Sequence, residues 1–269
     1  MANELVEKYF RTNCLPHIWC PGCGNGIVTR SIVKAIDNLG LEKDKVCIVS
    51  GIGCSSRASG YLDFNTIHTT HGRALAFATG IKMAKPELNV IVITGDGDCS
   101  AIGGNHLIHA ARRNIDITTV VYNNNIYGMT GGQYSPTTPT GDKGTTAPYG
   151  NIDSNFDLCN LAKAAGSTYV GRGTVYNPNL IIKLIEEGIK NKGFSFVETL
   201  TICPTYYGRK NKKGEAVDMM QYLKDSSINI AAAEKMSKDE LNGKILVGEL
   251  YKDTRPEYTE EYQRLIDYF

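Results

Sequence analysis

Apolar residues in this chain fall into short continuous runs that alternate with stretches of helical spacing. Continuous runs such as residues 90–93 are typical of strands buried on both faces, and apolar residues three or four apart are typical of one helix face. The predicted strands are residues 46–51, 90–94, 117–122, 168–172 and 195–202, and the predicted helices are residues 26–39, 72–84, 103–113, 155–165 and 178–191. This alternation predicts an α/β fold with a doubly wound, mostly parallel sheet.

The regular alternation ends near residue 204. We therefore expect residues 1–204 to form one α/β domain, and residues 205–269 to form a C-terminal tail with short helices that packs on the domain and on a partner subunit. A loop rich in glycine, threonine and proline spans residues 128–151 and is longer than a simple connection requires. Ligands of doubly wound sheets bind beyond the carboxyl ends of the strands, so the functional residues are expected to lie there.

Polar residues follow two of the predicted strands. Gly95-Asp96-Gly97-Asp98 follows the strand at 90–94, and Asn124 follows the strand at 117–122, 28 residues after Asp96. A carboxylate, an amide oxygen and a backbone carbonyl suit Mg²⁺ carrying phosphate groups. Either segment alone is also an ordinary turn sequence. Together they resemble the thiamine diphosphate motif, which begins with Gly-Asp-Gly and ends with paired asparagines, and the resemblance assigns Asp96, Asn124 and the Ile126 carbonyl to Mg²⁺.

Eight cysteines are present, and the N-terminus has no pattern of a secretory signal, so we expect a cytoplasmic protein without a disulfide framework. The pair Cys20 and Cys23 fits a zinc half-site, a redox dithiol or part of an iron–sulfur site. Cys54 and Cys203 each follow a predicted strand and would lie at the same sheet edge as Asp96. Four thiolates there would suit a [4Fe–4S] cluster, with zinc or simple burial as the alternatives. Cys47 and Cys159 lie within apolar patterns and are expected to be core residues.

Composition limits the classes of binding partner that this chain is expected to have. The net charge is +1, and no apolar run approaches the roughly 20 residues of a membrane span, so neither nucleic acid nor a membrane is expected. The basic run at residues 209–213 is most simply a solvated loop, and a docking surface for an acidic protein or for phosphate groups is the alternative. The segment at residues 51–56 is a weak match to a dinucleotide-binding fingerprint, because Ser56 occupies the third glycine position.

Several motifs occur in an order that resembles the beta subunits of the 2-oxoacid:ferredoxin oxidoreductases, and within that family the 2-oxoglutarate enzymes most. They are Cys-Pro-Gly-Cys-Gly at 20–24, Gly-Ile-Gly-Cys-Ser-Ser-Arg at 51–57, His-Gly-Arg-Ala at 71–74, Gly-Asp-Gly-Asp at 95–98, Asn-Asn-Ile-Tyr-Gly-Met-Thr-Gly-Gly-Gln-Tyr-Ser-Pro-Thr at 124–137 and Cys-Pro-Thr at 203–205. The likeness covers nearly the whole chain.

The resemblance implies thiamine-dependent oxidative decarboxylation of a 2-oxo acid, with coenzyme A as co-substrate and acyl-CoA, CO2 and reduced ferredoxin as products. It implies Mg²⁺ and one [4Fe–4S] cluster held by Cys20, Cys23, Cys54 and Cys203. The residues that it places against the thiamine cofactor are Ile52, Gly53, Cys54, Ser55, His71, Gly72, Gly95, Gly97, Asp98, Asn124, Gly128 and Met129. The substrate 2-oxoglutarate is favoured, pyruvate or a branched-chain 2-oxo acid is the alternative, and a non-oxidative thiamine enzyme or a non-catalytic metal-binding module is the rival function.

Thiamine enzymes of this kind use a glutamate on a separate pyrimidine-binding domain, for which one α/β unit leaves no room. We therefore expect the activating glutamate on a larger alpha subunit, an (αβ)₂ assembly, and ferredoxin as the electron acceptor. No catalytic side chain on this chain is predicted, and the sequence does not identify the residues that select the 2-oxo acid, bind coenzyme A or dock ferredoxin.

Overall fold

The computed structural model describes residues 2–269, with side chains from residue 4 onward. Its helices are α1 (Ala2–Tyr9), α2 (Asn25–Asn38), α3 (Ala58–Tyr61), α4 (Ala74–Ala84), α5 (Gly104–Arg113), α6 (Leu158–Ala165), α7 (Pro178–Lys190), α8 (Ala216–Ser226), α9 (Ile230–Ala233) and α10 (Tyr258–Tyr268). Its strands are β1 (Val46–Ser50), β2 (Asn65–His68), β3 (Asn89–Gly95), β4 (Thr118–Asn123), β5 (Ile126–Tyr127), β6 (Gln133–Tyr134), β7 (Tyr169–Thr174), β8 (Ser195–Leu200), β9 (Ser227–Asn229) and β10 (Ile245–Lys252).

Within the described residues, eight strands form one sheet in the order β2-β1-β3-β4-β8-β7-β10-β9. All neighbouring pairs are parallel except β10 with β7, which confirms the predicted mostly parallel sheet. From β1 the chain crosses to β2 on one side, and from β3 it crosses to β4 on the other side. The loops that follow the neighbouring strands β1 and β3 therefore leave the sheet in opposite directions. Ligands of doubly wound folds bind between two loops that diverge in this way.

Helices cover both faces of the sheet, because alternate strand residues point to opposite sides. In β3, Ile91 and Ile93 pack in one core with residues of α2 and α7, while Val90 and Val92 pack in the other with residues of α4, α5 and α6. Both faces are buried, as the continuous apolar run predicts. None of the described helices combines the length and the apolar character that a membrane span needs.

Two regions of the main sheet differ from the sequence-based expectation. Strand β2 was not predicted, because its residues are mostly polar and mostly exposed at the edge of the sheet. The C-terminal segment contains more than short helices: β10 pairs with β7 and β9 pairs with β10, so this segment extends the main sheet. Both strands lie near an edge and are only partly buried, which removes the apolar alternation that marks a strand. The domain boundary at residue 204 stays a prediction.

Candidate functional site

Asp96 lies directly after β3 and is buried, with 3% of its surface exposed. Its Oδ2 atom accepts hydrogen bonds from Ser135 Oγ at 2.5 Å and from Thr137 Oγ1 at 2.6 Å. Burial raises the pKa of its carboxyl group from 3.8 to about 6. None of the cations that the structure describes forms an ion pair with it. A buried carboxylate of this kind is stabilised by a metal ion, and Asp96 therefore fits the predicted Mg²⁺ ligand.

Asn124 follows the neighbouring strand β4 and emerges beside Asp96, since Gly95 of β3 pairs with Tyr122 of β4. Its side chain is buried, and its Oδ1 atom accepts a hydrogen bond from the backbone amide of Ile126 at 3.1 Å. The bond holds the chain in a tight turn in which Asn125 has a φ of +60°. The turn keeps the amide group of Asn124 beside the backbone of the buried Ile126, and these residues are two of the three predicted Mg²⁺ ligands.

Buried polar side chains form a hydrogen-bond network next to the turn at residues 124–126. Asn123 Nδ2 donates to Glu198 Oε1 at 2.8 Å, and Arg172 Nε donates to Glu198 Oε2 at 2.6 Å. Thr137 Oγ1 lies 3.0 Å from Asn123 Oδ1 as well as 2.6 Å from Asp96, so it joins the two strand ends. The ion pair of Arg172 and Glu198 is therefore connected to the candidate metal ligand through two polar side chains.

Asp98 connects the loops around the site. Its Oδ1 atom accepts hydrogen bonds from the backbone amides of Gly72 at 2.7 Å and Ile52 at 3.2 Å, and Oδ2 accepts one from Thr94 Oγ1 at 2.6 Å. His71 Nδ1 also bonds to Asp98, which fixes the imidazole ring and leaves Nε2 as its second polar atom. Asp98 thus fastens the turns after β1 and β2 to the end of β3, and its predicted contact with a diphosphate stays a prediction.

Glycine is required where these loops pack closely. A Cβ atom on Gly97 would lie 2.2 Å from the ring of Tyr127, whose hydroxyl donates to the Gly97 carbonyl at 3.2 Å. Gly72 has a φ of +70°, and a Cβ there would lie 2.7 Å from the Gly103 backbone nitrogen. Both residues are among those predicted to contact the cofactor, and the backbone there is closely packed from behind.

Replacing Gly72 with alanine is expected to destabilise the protein by about 1–3 kcal/mol, because the methyl group meets backbone and the φ value is unfavourable. Urea unfolding would measure the change. The matched control is Gly80→Ala in α4, where a Cβ has no atom within 4 Å and where alanine is expected to stabilise by up to about 1 kcal/mol. Equal stabilities of the two variants would contradict the close packing at Gly72.

Four of the cysteines lie near one another on the same side of the sheet. A Cβ atom on Gly128 would lie 3.3 Å from Cys54 Sγ and 3.8 Å from Cys203 Sγ. Burial raises the pKa of the Cys23 thiol to about 12, and the charges of Cys203, Cys54 and Cys20 add to the rise. Burial likewise raises the pKa of Cys54 to about 11, with Cys203 and Cys20 contributing. The structure therefore brings together the four cysteines singled out in the sequence, which we call the cysteine quartet.

Backbone amides lower the pKa of quartet thiols and partly oppose the rise that burial causes. The amide of Asn25 acts in this way on Cys23, and the amides of Tyr206 and Tyr207 act on Cys203. Hydrogen bonds to ligand sulfur are a recurring feature of iron–sulfur sites, where they tune the reduction potential.

Zinc and a four-iron cluster place different demands on the cysteine quartet. A structural zinc site gathers four ligands around one ion, whereas a four-iron cluster binds each thiolate at a different iron. The iron–sulfur assignment of the quartet stays a prediction. The remaining cysteines lie outside the quartet. Cys47 and Cys159 are buried, as predicted; Cys99 is also buried, and Cys14 is exposed.

Several residues of the site were not singled out in the sequence. Ser135 and Thr137 bond to Asp96 from the long loop at 128–151. Trp19 Nε1 donates to the Cys54 carbonyl at 2.6 Å, and the Trp19 ring lies 4.9 Å from that of His17. The length of the loop and the position of the single tryptophan beside Cys20 were the available signals. Neither signal shows which distant residue the side chain contacts.

Comparisons with known proteins show the family of this chain. Residues 51–199 match the family "Thiamine pyrophosphate enzyme, C-terminal TPP binding domain". The chain is 56% identical over 260 residues to the 2-oxoglutarate synthase subunit KorB of Methanocaldococcus jannaschii, covering 97% of this chain and 96% of that one. It is 46% identical over 190 residues to the beta subunit of a 2-oxoacid:ferredoxin oxidoreductase from Saccharolobus solfataricus, covering 70% and 62%.

A solved structure is similar over almost the whole chain. It is the 2-oxoglutarate:ferredoxin oxidoreductase from Magnetococcus marinus with 2-oxoglutarate, coenzyme A and succinyl-CoA bound. The TM-score is 0.87 at 33% sequence identity, and the match covers 98% of this chain and 90% of that chain.

Proposed function

The chain belongs to the thiamine pyrophosphate enzymes and, within them, to the beta subunits of the 2-oxoacid:ferredoxin oxidoreductases, and from this premise we propose that it acts in the oxidative decarboxylation of 2-oxoglutarate. The acyl group passes to coenzyme A, and two electrons pass to ferredoxin. The observation that carries the proposal is the position of Gly128, four residues after Asn124, where a Cβ atom would lie 3.3 Å from Cys54 Sγ and 3.8 Å from Cys203 Sγ. A non-oxidative thiamine enzyme has no need of a thiolate cluster beside its cofactor.

Asp96, Asn124 and the Ile126 carbonyl would hold Mg²⁺, which would anchor the diphosphate. Bound there, thiamine diphosphate would supply the nucleophile for the keto carbon and the electron sink for loss of carbon dioxide. Asp98 would keep the turns around the cofactor in place through its bonds to Gly72 and Ile52. The open Cβ position of Gly53, with a φ of +118° and no atom within 4 Å, would leave room for the cofactor.

The cysteine quartet would hold one [4Fe–4S] cluster. Burial raises the pKa of the Cys23, Cys54 and Cys203 thiols, so these would bind iron with loss of their protons. Because a Cβ atom on Gly128 would meet two of the sulfurs, the cluster would sit next to the loop that would hold the diphosphate. This short separation would give electrons a direct path away from the cofactor.

A partner subunit would complete the site. The apolar side chains around the cofactor loops are open to solvent in this chain alone: Ile52 is 39% exposed, Met129 44% and Ile102 49%. Exposed apolar residues that cluster around polar groups are typical of a subunit interface. An alpha subunit bearing the activating glutamate would cover them, in an (αβ)₂ assembly in the cytoplasm.

The test is an assay of the anaerobically purified complex of this chain with its alpha subunit. Four 2-oxo acids are compared: 2-oxoglutarate, pyruvate, a branched-chain acid and an aromatic acid. We expect coenzyme A-dependent reduction of methyl viologen, with kcat/KM for 2-oxoglutarate at least about tenfold above the others, because a pocket that pairs the distal carboxylate discriminates strongly against acids that lack it. A higher kcat/KM for another acid would contradict the substrate assignment, and decarboxylation without viologen reduction would contradict the oxidative reaction.

A further inference from the structure

Four cations lie in the five residues 209–213, in a chain whose net charge is only +1. They are Arg209, Lys210, Lys212 and Lys213, and all four are exposed. We call residues 209–213 the basic turn. It starts six residues after Cys203, and the π-helical segment Pro204–Gly208 joins the two. The concentration of charge is therefore tied to a member of the cysteine quartet.

The basic turn lies between two segments that both pack on the loop of Cys20 and Cys23. A Cβ atom on Gly22 of this loop would lie 2.7 Å from Ala216 Cβ, at the start of α8, and 3.5 Å from Pro204 Cγ. Pro204 precedes the basic turn and Ala216 follows it. The turn therefore leaves and re-enters the protein at the loop that carries two quartet cysteines.

The charges of the basic turn are largely free to attract an anionic partner. Lys213 lies 3.5 Å from Asp142, whereas Arg209, Lys210 and Lys212 have no ion pair within the described part of the chain. The acids nearest in sequence, Glu215 and Asp218, form the capping box of α8 and keep their negative charges. With Asp142 they give three negative charges against the four positive charges of the basic turn, so the local net charge is positive.

The surface beside the basic turn exposes one cysteine of the quartet, through which electrons would leave the protein. Cys20 is the exposed member of the quartet, and the apolar Ile18 close by is 62% exposed. Val217, next to Ala216, is 77% exposed. Exposed apolar residues surrounded by charge are typical of small, short-lived interfaces, among which electron-transfer contacts bury the least area.

We propose that the basic turn and the exposed side of the Cys20 loop form the docking surface for an acidic one-electron carrier protein of the ferredoxin type. The inference rests on the proposed function, because the cluster must be the electron donor. One 2-oxo acid and one coenzyme A give acyl-CoA, carbon dioxide and one proton, and the two electrons released reduce two carriers in turn. The surface is used twice per turnover, which suits attraction by charge followed by rapid release.

The phosphates of coenzyme A are the other anions that the basic turn could attract. The position of the turn favours the carrier, because electron transfer slows steeply with distance and the turn adjoins the loop of Cys20. If the basic turn binds the carrier, its positive charges control the KM for the carrier protein. If it binds the phosphates, they control the KM for coenzyme A.

The test is the variant Arg209→Glu/Lys210→Glu/Lys212→Glu in the complete complex. Its matched control is Lys45→Glu/Lys85→Glu/Lys192→Glu, which makes the same change of charge near the amino ends of β1, β3 and β8, at the opposite edge of the sheet. We expect the KM for ferredoxin to rise about tenfold or more at low salt in the first variant only, with the difference shrinking as salt screens the charges. Calorimetric binding of oxidised ferredoxin should weaken by the same factor, and reduction of methyl viologen, a small cation, should be unchanged.

A ferredoxin KM and binding constant that change no more than in the control would overturn the docking surface, while viologen reduction by the parent still supported the proposed function. A rise in the KM for coenzyme A with ferredoxin binding unaltered would overturn it in favour of the phosphates. Absence of viologen reduction in the parent complex would instead overturn the proposed function.

Discussion

Replacing Asp96 with asparagine is expected to weaken Mg²⁺-dependent binding of thiamine diphosphate by about 100-fold or more, without destabilising the apoprotein. The amide oxygen of asparagine can still accept the hydrogen bonds from Ser135 and Thr137, but it lacks the negative charge that attracts Mg²⁺. Titration of the complex with thiamine diphosphate, with and without Mg²⁺, would measure the loss.

The pKa of Asp96 makes the stability part of this prediction specific. Burial raises the folded-state pKa to about 6 from 3.8, so in the apoprotein the stability associated with this group is lost as pH rises through that window. Asparagine has no such dependence, and the variant should be at least as stable as the parent at pH 7 to about 8 in thermal unfolding. The control is Asp44→Asn on the exposed surface before β1, which should keep the cofactor. Undiminished binding in the Asp96 variant would refute the metal assignment.

Replacing Cys203 with serine is expected to remove the iron–sulfur cluster while leaving Mg²⁺-dependent binding of thiamine diphosphate in place. The parent chain should contain about four irons and four acid-labile sulfides after anaerobic purification. A serine hydroxyl is a poor ligand for iron, and Cys203 Sγ is one of the two sulfurs that lie against Gly128. Iron and sulfide should fall to less than about half of the parent value, and ferredoxin reduction should be lost.

The control for the cysteine variant is Cys14→Ser. Cys14 is exposed and is not among the residues that raise the pKa of the quartet thiols, so its replacement should leave the iron content unchanged. One zinc and no sulfide in the parent would instead support a non-catalytic metal-binding module. Full iron content in the Cys203 variant would remove this residue from the ligand set.

Much of the fold could be predicted from the sequence because its strands are buried on both faces. The run at residues 90–94 admits only a strand or a short buried helix segment, and the glycines after it favour the strand. The same argument does not identify the strands near the two edges of the sheet. Strand β2 is polar and exposed, and β10 is half-exposed and pairs in the opposite direction to its neighbour β7, so local pattern did not identify either strand.

The candidate site divides in the same way. Asp96 and Asn124 could be predicted because each follows a strand directly, and parallel strands place such residues side by side. The partners of these residues could not be predicted. Ser135 and Thr137 reach Asp96 from a long loop, and Asp98 binds two turns that precede it by 26 and 46 residues. The role of each of these residues in binding a cofactor or metal stays a prediction.

The sequence by itself determined the class of fold, the family and which residue types stand at the strand ends, because these depend on local order along the chain. Only the tertiary structure decided that Cys20, Cys23, Cys54 and Cys203 lie together, that the sulfurs of Cys54 and Cys203 face the open side of Gly128, and that the basic turn flanks the loop of Cys20 and Cys23. These contacts join residues up to about 180 positions apart (from 20 to 203), and packing around the sheet sets them. Local propensity carries no information about such pairs, because their distance depends on every element folded between them.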